Sequence, residues 1–184
     1  MNIVLVCMKH CGKSTQGRLL AEKLDWRFSD ADEEIERLHG EGLRCRQIYQ
    51  KIGADAFRRL EARAVSGLLN ADGPDTVCAL GGGAVSNPFM PAAWREQGLV
   101  VYLKASPLVM YSRVAAGGLP PFLAGAADPA KAFAALCAER EPAFEAAADC
   151  VFKLDMQASA EDNSAALFNF LKEKIDHGRQ HNRQ

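Results

Sequence analysis

Short, continuous runs of apolar residues recur along the chain, and longer segments with apolar residues at helical spacing lie between them. The continuous runs are typical of strands in a parallel sheet, because such strands are buried on both faces. The runs occupy positions 2–7, 26–28, 76–80, 99–103 and 150–154. Five strands are therefore predicted, and each is followed by helical sequence.

The segments between the strands have the amphipathic pattern of helices. In the segment at 54–70, before the third strand, Phe57, Leu60, Ala64 and Leu68 form one apolar stripe. Such a stripe is typical of a helix packed on a core. Helices are predicted over 14–24, 32–38, 46–51, 54–70, 107–114, 130–147 and 161–175, and a mobile loop rich in Gly, Pro and Ala over 115–128. Strands that alternate with helices predict an α/β fold, a parallel sheet with helices on both faces.

Length and composition place this pattern in one globular domain. The chain has 184 residues, of which 48% are hydrophobic and 24% charged, and a domain of that size buries an adequate core. We expect the domain to span 1–176 and the polar tail at 177–184 to be frayed. No apolar run reaches the length of a membrane span or resembles a signal peptide, so a cytoplasmic protein without membrane contacts is expected. The net charge of −1 does not favour nucleic acid as a partner, and we expect a monomer.

Six cysteines leave the redox state of the N-terminal segment open. None forms a C-x-x-C pair, and no histidine pair completes a zinc pattern. Cys7 and Cys11 are four residues apart, beside a lysine and a helix start, a setting that favours the thiolate. They are either a redox-sensitive pair or two reduced thiols, and a reducing compartment favours the second alternative.

A phosphate-binding loop is the strongest motif in the chain. The sequence CMKHCGKST at 7–15 follows the first predicted strand and opens the first helix, which is the context that the G-x-x-x-x-G-K-S/T motif requires. Its backbone N–H groups would surround the phosphates of ATP at the positive end of a helix. The candidate nucleotide-binding residues are Met8, Lys9, His10, Cys11, Gly12, Lys13, Ser14 and Thr15.

Two side chains of this loop carry the chemistry, and one position departs from the motif. Lys13, as a catalytic residue, would reach the β- and γ-phosphates, and the Ser14 hydroxyl would ligate Mg²⁺. Cys7 replaces the first glycine of the motif. Its Cβ restricts the loop if this position needs a positive φ.

Two aspartates follow the second predicted strand, at the edge of the sheet where ligands bind. Asp30 and Asp32 are two residues apart, so one can face a metal ion while the other faces a substrate hydroxyl. Alternatively, Asp32 is the N-cap of the helix that follows.

Four segments resemble the shikimate kinase family in residue type, order and spacing. They are FSDAD at 28–32, IY at 48–49, FRRLE at 57–61 and LGGGAV at 80–85, and the resemblance extends from residue 2 to about 155. It implies a three-layer P-loop kinase fold whose five strands have the order 2-3-1-4-5. It also implies transfer of the ATP γ-phosphate to the 3-hydroxyl of shikimate, a step of aromatic amino-acid biosynthesis, with Mg²⁺ as the cofactor.

On the nucleotide side, the resemblance implies roles for three further residues. Asp30 resembles the aspartate that holds Mg²⁺ through water, and Asp32 resembles the catalytic one that binds the accepting hydroxyl and takes its proton. Arg113 resembles the arginine that packs on adenine. An ion pair with a surface carboxylate is the alternative for Arg113.

On the acceptor side, the resemblance implies that Arg58 and Arg140 bind the substrate carboxylate. Guanidinium groups suit this role because their paired N–H donors match a carboxylate, and Glu61, one turn after Arg58, is able to orient it. The glycines that resemble the loop lining the substrate ring are Gly81, Gly82 and Gly83. The alternative for Arg58 is a solvated helix arginine, and the alternative for the three glycines is a flexible turn.

The predicted lid, around 115–128, departs from the family pattern. Shikimate kinases carry an arginine in an R-P-L-L-like stretch, and in the matching LPPFL at 119–123 Pro120 takes its place. Lys131 is the only cation between Arg113 and Arg140. Because a closing cation stabilises the transition state, two other hypotheses stay open: a kinase for another small hydroxy acid, and a nucleotide-binding regulatory protein with little turnover.

Overall fold

Five parallel strands form the centre of the molecule. In the computed structural model, which describes residues 1–69, 73–119 and 121–181, the strands are β1 (Asn2–Val6), β2 (Arg27–Asp30), β3 (Thr76–Ala79), β4 (Leu99–Lys104) and β5 (Cys150–Lys153). Their order in the sheet is β2-β3-β1-β4-β5, and each neighbouring pair is parallel. The predicted strand number and order are confirmed.

The central strand, β1, is buried on both faces, and this explains its continuous apolar sequence. All five residues of β1 are buried, and Ile3 lies between Val77 of β3 and Leu99 of β4. Since successive side chains of a strand point to opposite faces, other parts of the fold must cover both faces of the sheet at β1.

The described helices follow the predicted order along the chain. They are α1 (Lys13–Leu24), α2 (Ala31–His39), α3 (Cys45–Ile52), α4 (Ala54–Leu68), α5 (Pro107–Ala116), α6 (Pro121–Ala124), α7 (Pro129–Ala147) and α8 (Ala160–His181). Against the sheet, α1 packs on α8 and α5 packs on α7. None of the helices within 1–69, 73–119 and 121–181 is long and apolar enough to cross a membrane.

Several boundaries differ from the sequence prediction. The last helix continues to His181 instead of ending at residue 175, because each added residue of an existing helix gains a hydrogen bond without needing an apolar position. Part of the predicted loop at 115–128 is helical: it contains the end of α5 and all of α6. Two 3₁₀ turns, Ala84–Ser86 and Ala92–Gln97, have no apolar periodicity that predicts them. Pro120, the residue at the lid arginine's place, lies outside the described residues.

A second, smaller core holds α2, α3 and α4 together. It is formed by Ile35, Ile48, Phe57 and Ala64, of which three are fully buried and Phe57 is 8% exposed. The next residue after Phe57 is Arg58, and Asp32 lies one turn before Ile35. Packing of this small core therefore sets the positions of two predicted acceptor-site side chains.

Candidate active site

The phosphate loop joins β1 to α1 at the carboxyl edge of the sheet. Gly12 is the N-cap of α1 with a φ of 97°, and no side chain in the described part of the chain caps it. The N–H groups of the first helical turn are therefore left for an external acceptor, which is the arrangement of an anion-binding loop. Lys13 and Ser14 are the first two residues of this turn.

The loop accommodates Cys7 at the motif's first glycine position without backbone strain. In the described chain, the non-glycine residues with positive φ are His10, at 70°, and Asp25. Cys7 is not among them, so its Cβ meets no left-handed conformation. Met8 and Cys11 are buried, whereas Lys9, His10 and Thr15 are exposed at the loop surface.

The structure joins Cys7 and Cys11 by a disulfide, and their Cα atoms are 6.6 Å apart. The structure therefore brings the two sulfur atoms together, and whether the pair is redox-sensitive stays a prediction. Two of the free cysteines, Cys45 and Cys78, lie near the acidic pair. Burial raises the pKa of each of these thiols to about 12, so neither has the thiolate character of a reactive cysteine.

Ser14 and Asp30 meet at the base of the phosphate loop. The Ser14 Oγ donates a hydrogen bond of 2.6 Å to Asp30 Oδ2. The other carboxylate oxygen, Oδ1, accepts a 2.9 Å bond from the backbone N–H of Asp32, so Asp30 is the N-cap of α2. The alternative in which Asp32 is the N-cap is therefore wrong, and the Asp32 side chain is not used for capping.

Lys13 and Asp32 act on each other through their charges in a partly buried part of the site. Burial lowers the pKa of Lys13, although both aspartates oppose this effect. Burial also raises the pKa of Asp32, and the neighbouring Asp30 carboxylate raises it further, while Lys9 and Lys13 lower it. A carboxylate whose pKa is raised towards neutrality is better matched to accepting a proton from a hydroxyl.

The acceptor side brings Arg58, Glu61 and the glycine turn together. Arg58 Nη1 donates a 2.7 Å hydrogen bond to Glu61 Oε2, and the Glu61 side chain is 3% exposed. A Cβ at Gly83 would lie 2.6 Å from Arg58 Nη2, so the turn and the guanidinium are in direct contact only because this residue is glycine. Neither the solvated arginine nor the flexible turn describes this arrangement.

The same turn also reaches the acidic pair and the phosphate loop. A Cβ at Gly81 would meet Glu61 Oε1 at 2.9 Å and Asp32 Oδ1 at 3.3 Å. A Cβ at Gly82 would lie 3.1 Å from the backbone nitrogen of Lys9, so Gly82 lies against the backbone of the phosphate loop. The glycine turn is therefore the point at which the predicted nucleotide site and the predicted acceptor site touch.

A cavity of about 230 Å³ lies on the other side of the phosphate loop. Its wall includes Gly12 and Thr15 of the loop, Arg113 of α5 and Asn163 of α8. Arg113 Nη1 lies 3.4 Å from the carbonyl oxygens of His10 and Cys11, so it contacts the phosphate loop. Among the residues that the structure describes, it makes no ion pair with a carboxylate.

Comparisons with known proteins show which family the chain belongs to. A family model described as shikimate kinase matches residues 9–172. The chain belongs to the shikimate kinase family. A protein named shikimate kinase from Geobacter sulfurreducens is 38% identical over 173 residues, which is 94% of this chain and 91% of that protein. A second, from Symbiobacterium thermophilum, is 37% identical over 97% of this chain and 100% of that protein.

A solved structure of the family has the same architecture. The shikimate kinase from Acinetobacter baumannii, in complex with shikimate, superposes with a TM-score of 0.78 and 29% sequence identity. The match covers 94% of this chain and 93% of that chain. The fold class and the family resemblance predicted from the sequence are confirmed.

One residue expected in a shikimate kinase site stands apart from the others in this structure. Arg140 lies on α7, which packs against the 3₁₀ turn that follows the glycines. It is partly exposed, and the structure records no hydrogen bond or ion pair for it within the described residues. Within the described residues, Arg140 is therefore not joined to the Arg58 network, and its role stays a prediction.

The structure adds two residues whose roles the sequence did not indicate. From the sequence, Lys9 is only one of the candidate nucleotide-binding residues of the loop, yet its charge acts on both Asp32 and Lys13. Asn87 is 6% exposed and binds Glu61 and the α4 backbone. The sequence does show that the phosphate loop has a second lysine, and this could have indicated a role for the charge of Lys9. A single asparagine after a glycine turn does not indicate any role for Asn87.

Proposed function

We propose that this protein transfers the γ-phosphate of ATP to the 3-hydroxyl of shikimate. The observation that carries the proposal is the convergence of Asp32, the Arg58–Glu61 pair and the glycine turn directly beside the phosphate loop. This arrangement offers a proton acceptor and a carboxylate-binding guanidinium within one site, and a hydroxylated carboxylic acid needs both.

The residues at the base of the loop fit Mg²⁺. Ser14 and Asp30 present a hydroxyl and a carboxylate in contact, and Mg²⁺ prefers oxygen ligands, of which one or two come from protein and others from phosphate and water. Ser14 would hold the ion directly and Asp30 through water. The bound ion would neutralise charge on the β- and γ-phosphates.

In the proposed reaction, the protein positions groups and stabilises charge. The N–H groups at the start of α1 and the Lys13 ammonium hold the phosphates. The cavity beside Arg113 takes the adenine, which stacks on the guanidinium. Asp32 accepts the hydrogen bond of the acceptor hydroxyl and takes its proton as the phosphorus–oxygen bond forms.

Lys9 supplies a second positive charge to the same space. Its charge lowers the pKa of Asp32, and its backbone nitrogen lies against Gly82 of the glycine turn, at the acceptor end of the phosphate loop. The transferred group carries spread negative charge in the transition state, and each fixed cation near it lowers the barrier. Lys9 would therefore supply part of the charge that an arginine at position 120 would otherwise bring.

Binding of the acid can be tested separately from turnover. In calorimetric titrations, shikimate should bind, and its methyl ester should bind at least about tenfold more weakly because the guanidinium loses its charged partner. Shikimate and the ester binding equally well would show that the carboxylate is not held by Arg58. Binding of a different hydroxy acid in place of shikimate would support the hypothesis of a kinase for another small hydroxy acid.

A further inference from the structure

Asn87 ends the 3₁₀ turn Ala84–Ser86, just after the glycines. It is 6% exposed, and both the oxygen and the nitrogen of its side-chain amide form hydrogen bonds. The Oδ1 accepts a 2.9 Å bond from the backbone N–H of Phe89. The Nδ2 donates at 2.8 Å to the backbone carbonyl of Arg58 and at 2.9 Å to Glu61 Oε2.

These bonds connect two segments that form the acceptor site from different parts of the chain. The glycine turn follows β3, whereas Arg58 and Glu61 lie on α4. One amide group holds the backbone of α4 and a side chain of α4 at the same time. The distance between the turn and the helix is therefore set by Asn87 in addition to apolar packing.

Glu61 is the group through which Asn87 reaches the substrate site. The Glu61 residue is 2% exposed, and a buried carboxylate is costly unless donors surround it. Its Oε2 accepts from Asn87 at 2.9 Å and from Arg58 Nη1 at 2.7 Å. The Asn87 amide thus fixes the rotamer of Glu61, and Glu61 then fixes the direction of the Arg58 guanidinium against Gly83.

We propose that Asn87 is a positioning residue for acceptor binding: through Glu61 it aims the Arg58 guanidinium at the carboxylate of the acid. This inference rests on the proposed function and names a residue of the same site. Asn87 acts through Glu61 and Arg58, so its loss should raise the KM for shikimate and leave the KM for ATP unchanged.

Asn87→Asp isolates this role. Aspartate has the size of asparagine and keeps an oxygen for the Phe89 N–H, but it loses the amide donor and sets a second carboxylate against Glu61. The KM for shikimate should rise at least about tenfold, because a hydrogen bond to a buried charge is lost. The KM for ATP should stay within about twofold, and the thermal unfolding profile should still show one cooperative transition.

A double-mutant cycle with Glu61→Gln separates positioning from a purely structural effect. In the double variant, the amide introduced at position 61 can donate to the carboxylate introduced at position 87. Adding Asn87→Asp to Glu61→Gln should therefore change the KM for shikimate by less than about threefold. A tenfold loss from Asn87→Asp in both backgrounds would show that it acts on the turn and not through Glu61, and would overturn the proposal. So would an unchanged KM for shikimate in the single variant.

Asn2→Asp is the matched control. Asn2 is also a buried asparagine, 3% exposed, and its amide donates a 2.8 Å hydrogen bond to the backbone carbonyl of Gln97. It is the first residue of β1, at the edge of the sheet opposite the phosphate loop, so its KM for shikimate should not change. If wild type fails to phosphorylate shikimate, the proposed function falls together with the role of Asn87. If wild type is active and Asn87→Asp behaves like it, only the role of Asn87 falls.

Discussion

The two halves of the site are built in different ways. On the nucleotide side, one continuous segment at 7–15 supplies the loop, the lysine and the hydroxyl. On the acceptor side, Asp32, the Arg58–Glu61 pair and the glycine turn come from three separate segments and meet only in the folded protein. The nucleotide site is therefore specified locally by backbone conformation, whereas the acceptor site depends on tertiary packing and on buried polar contacts.

Lys13→Ala should remove almost all activity, because it deletes a local group that touches the transferred phosphate. The rate of phosphoryl transfer should fall by at least about 100-fold, while circular dichroism and thermal unfolding should show that the fold is kept. Activity within about tenfold of wild type would exclude Lys13 from the mechanism.

Arg58→Ala and Arg140→Ala should both weaken acceptor binding and leave ATP binding unchanged. Loss of a charge-assisted hydrogen bond costs about 1.5–3 kcal/mol, more than about tenfold in affinity. Only Arg58→Ala should also lower the melting temperature, because it leaves the buried Glu61 without its cationic partner.

Calorimetry with shikimate and with ATP, together with thermal unfolding, checks this pair of variants. Equal stability losses in the two would mean that Arg140 also supports the fold. Unchanged shikimate affinity in both would show that neither arginine holds the carboxylate.

Lys9→Met should lower kcat about tenfold with little change in the KM for ATP, since Lys9 adds charge that acts mainly in the transition state. Lys131→Ala is the matched control, because Lys131 is exposed at the start of α7. Steady-state kinetics decide between them: a silent Lys9→Met with a tenfold loss in Lys131→Ala would assign the charge to Lys131.

Lys9→Met should also shift the pH profile. Asp32 acts as a base only when deprotonated, so kcat/KM for shikimate rises with pH through the pKa of Asp32. Burial and Asp30 already raise this pKa above its ordinary value, and Lys9 opposes them. Removal of Lys9 therefore raises the pKa further, and the acidic limb should move to higher pH. A limb that stays in place, or moves to lower pH, would contradict the proximity of Lys9 to Asp32.

The sequence predicted the strand order, the phosphate loop and the charged groups, because these follow from periodicity, a short motif and family resemblance. It did not predict that Asp30 and not Asp32 caps α2, because both aspartates stand before the same helix in the chain. It also gave no sign of Asn87, whose partners are 26 and 29 residues away. Contacts of this kind appear only when packing has brought the segments together.

Product identification tests whether the two halves of the site act together. Purified protein is incubated with ATP, Mg²⁺ and shikimate, and the products are followed by ³¹P NMR. We expect ATP consumption that depends on shikimate and a new phosphate ester at the 3-hydroxyl. ATP binding without any shikimate-dependent consumption, or an ester at another hydroxyl, would contradict an acceptor site organised by Asp32 and Arg58.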